Sequence, residues 1–153
     1  MGSGKSTVAA ALAGLMGRRS VDLDQVIEER VQMTIAEIFG ERGEEEFRRL
    51  EAAVLAEQLD QPSVIALGGG ATLDGGSWRL IKERAISVWL EAPLDELWAR
   101  VEGRAGRPLA EDRSSFERRY LERLPRYADA DHRVDATRAP AAIAEEVARL
   151  CAE

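Results

Sequence analysis

Gly2-Ser3-Gly4-Lys5-Ser6-Thr7 packs glycines, a lysine and hydroxyls into one short run near the start of the chain. It matches the second half of the phosphate-binding pattern G-x-x-x-x-G-K-[ST]. Gly2 and Gly4 can take backbone angles closed to other residues, so the N–H groups of Gly2, Ser3, Gly4, Lys5, Ser6 and Thr7 can turn inward around phosphate oxygens. The Ala- and Leu-rich stretch that follows predicts a helix over 6–16, whose positive dipole end points at the same place. In this reading Lys5 reaches the β- and γ-phosphates of a nucleotide, and the Ser6 hydroxyl ligates Mg²⁺.

Four further groups carry chemistry. Asp22 and Asp24 alternate at the end of a short apolar stretch, so one can face Mg²⁺ while the other faces an acceptor molecule; the plainer alternative is an Asp turn with Asp24 as helix N-cap. In Phe47-Arg48-Arg49-Leu50-Glu51, Phe47 and Glu51 lie one turn apart on one helix face, and Arg48 is either a ligand contact or a solvated helix charge. Gly68-Gly69-Gly70 is a run without side chains that lets a ligand lie against backbone amides, or a bare turn after a strand. Arg104, Arg107 and Arg113 bracket Pro108 in a polar stretch. That stretch reads as a lid bringing guanidinium groups over a transferring phosphoryl, or as a charged surface loop.

The elements that must position these groups alternate. Helices are predicted over 24–30, 34–39, 44–59, 78–84, 94–101 and 140–151, with another starting at Ser114. Short strands are predicted over 20–22, 64–67, 85–90 and 133–135. Thr34-x-x-Glu37 and Ser114-x-x-Glu117 read as capping boxes. Short apolar strands alternating with helices predict an α/β fold in three layers, a parallel sheet flanked by helices on both faces. In such a sheet, ligands sit beyond the carboxyl ends of the strands. The phosphate loop, Asp22 and Asp24, and the triple glycine then share one rim.

The 153 residues fit a single domain, taken as 1–153. The net charge of −7 leaves no basic face for nucleic acid. Lys5 and Lys82 are the only lysines, and Cys151 is the only cysteine. Together with the absence of a signal peptide or of an apolar run near ~18 residues, the single cysteine points to a reducing cytoplasm and no membrane partner. His132 has no Cys or His companions, so a transition-metal site is not expected.

With these residues in view, the chain resembles the shikimate kinase family of P-loop small-metabolite kinases. The resemblance rests on G-S-G-K-S-T, D-L-D-Q-V-I-E, I-A-E-I-F, F-R-R-L-E, G-G-G, W-L-x-A-P, R-P-L and R-L-P-R-Y, in that order. It implies transfer of the γ-phosphoryl of ATP, with Mg²⁺, to the 3-hydroxyl of shikimate in aromatic amino-acid (chorismate) biosynthesis, by a monomer whose partners are its small-molecule substrates. It also implies roles. Asp24 holds the acceptor hydroxyls and is the candidate base; Asp22 lies near magnesium; Arg48 and Arg123 clamp the shikimate carboxylate. Gly69, within Gly68–Gly70, contacts the substrate through its backbone. Arg107, in a lid over about 104–113, reaches the phosphates, and Arg100 and Arg138 flank adenine. The rival readings are another metabolite kinase on the same fold, such as a gluconate kinase, and a nucleotide-binding remnant without turnover.

Two departures from the family pattern stand out. The segment Thr137-Arg138-Ala139-Pro140 is shorter than the family's adenine region, and no strand precedes the phosphate loop. The second leads to the expectation that the native protein begins upstream of Met1. A central parallel strand of ~5 apolar residues, at ~1.5–3 kcal/mol each, is worth as much as a domain's whole stability of ~5–15 kcal/mol. The chain as given is therefore expected to be poorly soluble or inactive.

Overall fold

The computed structural model describes residues 2–102 and 112–152. The elements run α1 (Lys5–Met16), β1 (Arg19–Asp22), α2 (Leu23–Val31), α3 (Ile35–Leu59), β2 (Ser63–Ala66), α4 (Gly75–Arg84), β3 (Val88–Glu91), α5 (Leu94–Val101), α6 (Arg113–Ala128), β4 (His132–Asp135) and α7 (Pro140–Leu150). The predicted α/β alternation holds throughout.

Local chemistry sets most of the boundaries. Gly17 in the left-handed region (φ 61°) ends α1. Thr34 and Glu37 form the expected capping box at the start of α3. The two helices predicted over 34–39 and 44–59 are one helical stretch interrupted at Gly43, where φ 81° and ψ 169° break the helical path. The second predicted capping box is not used. α6 is capped instead by Asp112, whose carboxylate accepts from the Ser115 backbone N–H at 2.8 Å and the Ser115 hydroxyl at 3.1 Å. A carboxylate accepting two such bonds outcompetes a serine hydroxyl two residues on.

The helices bury their apolar stripes in two cores. Val8 and Leu12 of α1, Ile143, Ala144 and Val147 of α7, Leu97 of α5 and Phe116 of α6 form one. Leu23 and Ile27 of α2, Ile38, Phe47, Val54 and Leu55 of α3, and Trp78 and Ile81 of α4 form the other.

The sheet differs from the expectation of a single one. Among the described residues β1 pairs in parallel with β2, matching Asp22 to Ala66, and β3 pairs in parallel with β4, matching Val88 to His132. No ladder joins β2 to β3. The strand predicted as buried over 85–90 is β3, shifted to Val88–Glu91 and half-buried at every position. Its start is fixed by Asp131, which accepts from the Ser87 N–H at 2.8 Å and the Ser87 hydroxyl at 2.6 Å and pairs with Lys82 of α4.

Candidate functional site

The register of β1 with β2 places Asp22 and Ala66 side by side at the carboxyl ends of their strands. Everything after those residues belongs to one rim, and the candidate groups collect there.

The phosphate loop takes the shape its glycines allow. Gly2 (φ 64°) and Gly4 (φ 79°) both lie in the left-handed region. Gly4 is the N-cap of α1 and its carbonyl accepts from the Val8 N–H at 3.0 Å, so Lys5, Ser6 and Thr7 form the first turn of that helix. A Cβ on Gly2 would stand 2.7 Å from the Leu97 carbonyl oxygen, so the loop is seated directly against α5. Arg100, also on α5, donates to the Gly2 carbonyl at 3.4 Å and to the Ala136 carbonyl at 3.1 Å, tying the loop to the turn after β4. Arg138 lies in that turn, donates to the Asp135 carbonyl and pairs with Glu146 of α7.

The Ser6 hydroxyl donates to Asp22 Oδ2 at 2.5 Å. Asp22 is also the N-cap of α2, accepting from the Gln25 N–H at 3.5 Å. The cap therefore belongs to Asp22, and Asp24 sits in the first turn of α2. Ser6 and Asp22 form a pair of hard oxygen donors at the mouth of the phosphate loop. That donor set suits Mg²⁺, which takes one or two protein oxygens and fills its remaining positions with water and phosphate.

Across the rim, the triple glycine is the surface on which the acceptor groups converge. A Cβ on Gly68 would lie 2.8 Å from Asp24 Oδ1 and 3.1 Å from Glu51 Oε1. One on Gly69 would lie 2.9 Å from Arg123 Cζ, and one on Gly70 would collide with the Arg48 guanidinium. Gly68 thus faces Asp24 of α2 and Glu51 of α3, Gly69 faces Arg123 of α6, and Gly70 faces Arg48 of α3. The backbone there is a tight turn, in which Ala71 donates to the Gly68 carbonyl at 3.2 Å and Leu73 to the Gly70 carbonyl at 3.0 Å.

The charges are graded by burial. Arg48 donates to Glu51 Oε2 at 2.7 Å, and its guanidinium stands 5.1 Å from the Phe47 ring centroid. Glu51 is only 3% exposed. Burial pushes its carboxyl above the ordinary range; Arg48 pulls the other way and the nearby Asp24 adds to the rise. Arg123 on α6 is 7% exposed, and its Nε is buried with no hydrogen-bond partner. Tyr127, one turn on, stacks on Trp89 of β3 with ring centroids 6.0 Å apart. Burial pushes its phenol up, and Arg123 opposes the rise. An orphaned guanidinium nitrogen in a buried site is costly unless a ligand acceptor meets it.

The arrangement is chemically able to receive a small acid that carries hydroxyl groups. Two guanidinium groups provide planar recognition of a carboxylate, and Asp24 accepts hydroxyl protons beside them. Arg48, Arg123, Asp24 and the triple glycine come together as the sequence suggested. Glu51 and Tyr127 were assigned no role from sequence, although both stand in the motifs quoted above, F-R-R-L-E and R-L-P-R-Y. Arg104 and Arg107 lie outside the described residues. Arg113 is described and pairs with Asp95 at the start of α5. Among the described residues no cluster of His, Cys, Asp and Glu forms a metal site of protein ligands alone.

Known proteins resemble this chain in sequence and in fold. The shikimate kinase family model matches residues 1–152. A shikimate kinase of Cereibacter sphaeroides is 45% identical over 139 residues, covering 88% of this chain and 70% of the relative. One of Rhizobium meliloti is 42% identical over 135 residues, covering 86% and 70%. Among solved structures, a shikimate kinase from Acinetobacter baumannii in complex with shikimate superposes with a TM-score of 0.94 at 31% identity, over 99% of this chain and 88% of that one. The enzyme from Aquifex aeolicus gives 0.86 at 29% identity, over 96% and 89%.

Proposed function

The chain belongs to the shikimate kinase family, and we propose that its own residues transfer the γ-phosphoryl of ATP to the 3-hydroxyl of shikimate as follows. The backbone of Gly2–Thr7 and the Lys5 ammonium hold the phosphates. Arg48 and Arg123 grip the shikimate carboxylate, with the orphaned Nε of Arg123 meeting one of its oxygens. Asp24 accepts the proton of the attacking hydroxyl, and the backbone of Gly68–Gly70 lines the ring's seat. Ser6 and Asp22 would hold Mg²⁺, which supplies charge neutralisation at the phosphates when bound. Arg107, within a lid over about 104–113, is assigned to the transferring phosphoryl, and Arg100 and Arg138 to the adenine side.

Phosphoryl transfer needs little covalent help, so positioning and charge carry it. The observation that carries the reading is the convergence of Asp24, Arg48 and Arg123 on three successive glycines, one strand away from the Ser6–Asp22 pair. The family match over residues 1–152 supports a single domain over 1–153, read as a monomer. No helix of the described residues is long and apolar enough to cross a membrane. The single cysteine and the net charge of −7 support a cytoplasmic enzyme that binds small molecules rather than nucleic acid.

Asp24→Asn tests the role assignment. General-base catalysis contributes about 10²–10⁴ in rate, so turnover should fall at least that far while ATP affinity stays within a few-fold. Loss of ATP binding in the same variant would move Asp24 to the nucleotide site.

A further inference from the structure

The two arginines of the acceptor site are supported in different ways. Arg48 is held by carboxylates of its own helix, donating to Glu51 at 2.7 Å and to Glu44 at 3.3 Å. Among the described residues no carboxylate forms an ion pair with Arg123, and its buried Nε has no hydrogen-bond partner. Its helix is also interrupted close by. Pro125 of α6 has no N–H to give the Leu121 carbonyl, and its ring crowds that turn. The orientation of a buried guanidinium on such a turn has to be set from elsewhere.

Tyr127 meets it from the far side of the proline. The two residues lie one turn apart on one face of α6. A Cβ on Gly69 would meet both, with Arg123 Cζ at 2.9 Å and the Tyr127 hydroxyl at 3.5 Å. Phenol and guanidinium therefore share the space that Gly69 leaves open. The phenol ring is itself fixed by other elements. Trp89 of β3 stacks on it with centroids 6.0 Å apart, and the Tyr120 ring lies 6.4 Å away, tilted by 58°. The Arg133 guanidinium stands 5.2 Å from the Trp89 centroid and holds that ring in turn. The end of α6 is pinned as well. Trp78 Nε1 donates to Asp129 Oδ2 at 2.7 Å and Lys82 donates to the Asp129 carbonyl at 3.1 Å, both from α4, the helix that follows the triple glycine.

We propose that Tyr127 is a positioning residue for Arg123, its phenol oxygen accepting one guanidinium N–H and so turning the remaining donors, Nε among them, toward the acceptor carboxylate. This rests on the assignment of Arg123 to that carboxylate. A guanidinium is planar and carries five donors in a rigid fork, so fixing one N–H fixes the plane of all the others. An ammonium has no such plane, and a lysine at this position would gain little from the phenol. The ionisation of Tyr127 agrees with the contact: burial raises its pKa, and Arg123 opposes the rise through its charge and then through a hydrogen bond. Phenylalanine would keep the stack on Trp89 and lose only the acceptor oxygen.

The test is Tyr127→Phe in the native protein, alone and combined with Arg123→Lys. Alone, it should raise the KM for shikimate about three- to tenfold, with kcat and the KM for ATP within about twofold of the parent and the melting temperature little changed. Added to Arg123→Lys, it should raise the shikimate KM by less than about twofold, because the group it acts through is already gone. An unchanged shikimate KM, an equal rise in the KM for ATP, or the same fold increase in both backgrounds would overturn the inference alone. A parent protein without shikimate-dependent ADP formation would overturn the shikimate reading, and this inference with it.

Discussion

A methyl group on Gly69 would lie 2.9 Å from the guanidinium carbon of Arg123 and 3.5 Å from the hydroxyl of Tyr127. The absence of a side chain at residue 69 is therefore what lets a buried arginine from α6 reach the turn after β2. The obstacle is the end of a long side chain, so the fold can accommodate Gly69→Ala by moving Arg123. Stability should change by less than about 1 kcal/mol, whereas the KM for shikimate should rise about tenfold or more. Steady-state kinetics and a melting curve on the same preparation check this. A variant with lowered melting temperature and unchanged KM would contradict it.

Arg48 and Arg123 each offer a planar pair of donors that lysine cannot reproduce. A hydrogen bond to a charged group is worth about 1.5–3 kcal/mol, or roughly 10- to 150-fold in affinity. Arg48→Lys and Arg123→Lys should each raise the KM for shikimate by that order and leave the KM for ATP within a few-fold. Initial-rate measurements varying one substrate at a time distinguish the two effects.

Glu51 gives a pH signature of definite sign. Its folded-state pKa is raised, chiefly by burial. A raised carboxyl contributes stability below its unfolded pKa of about 4.3 and loses that contribution as pH rises through the folded value. The unfolding free energy of the parent minus that of Glu51→Gln should therefore decline as pH is raised from about 4 towards neutrality. Denaturant titrations at a series of pH values measure it, and a rising difference would refute the assignment of burial as the dominant influence.

Asp131 should behave in the opposite way. Lys82 and then the two Ser87 bonds hold its carboxyl far below the ordinary range. Its contribution is present above the unfolded pKa of about 3.9 and is lost as pH falls below it. Asp131→Asn should cost about 1–2 kcal/mol at neutral pH, allowing for its solvent exposure, and the deficit should shrink below about pH 4. Acid unfolding followed by circular dichroism reads both quantities.

Much of this arrangement was legible in the sequence because it rests on short-range rules. The Thr34–Glu37 box, the bounds of α5 and the glycine-rich phosphate loop depend on neighbours within four residues. So does the glycine run, whose three bare positions announce that something approaches closely without saying what. The remainder depends on contacts between distant segments. At i,i+3 from an arginine, Glu51 looks like any exposed helix pair; only the packing of α2, α3 and the turn after β2 buries it. The start of α6 turned on a competition between Asp112 and Ser114, both good caps, which spacing alone does not decide. The separation of the strands into two pairs is likewise a property of which edges meet, and periodicity carries no information about edges.

The most direct measurement is formation of ADP by the purified native protein with ATP and Mg²⁺, with the phosphorylated acceptor followed by ³¹P NMR, in parallel reactions with shikimate and gluconate. Shikimate should produce ADP and a phosphate monoester at its 3-hydroxyl in equal amounts, and gluconate should give only the background rate. Equal turnover of the two acids, or tight ATP binding with no shikimate-dependent ADP, would contradict the assignment of Asp24, Arg48 and Arg123 to a shikimate seat.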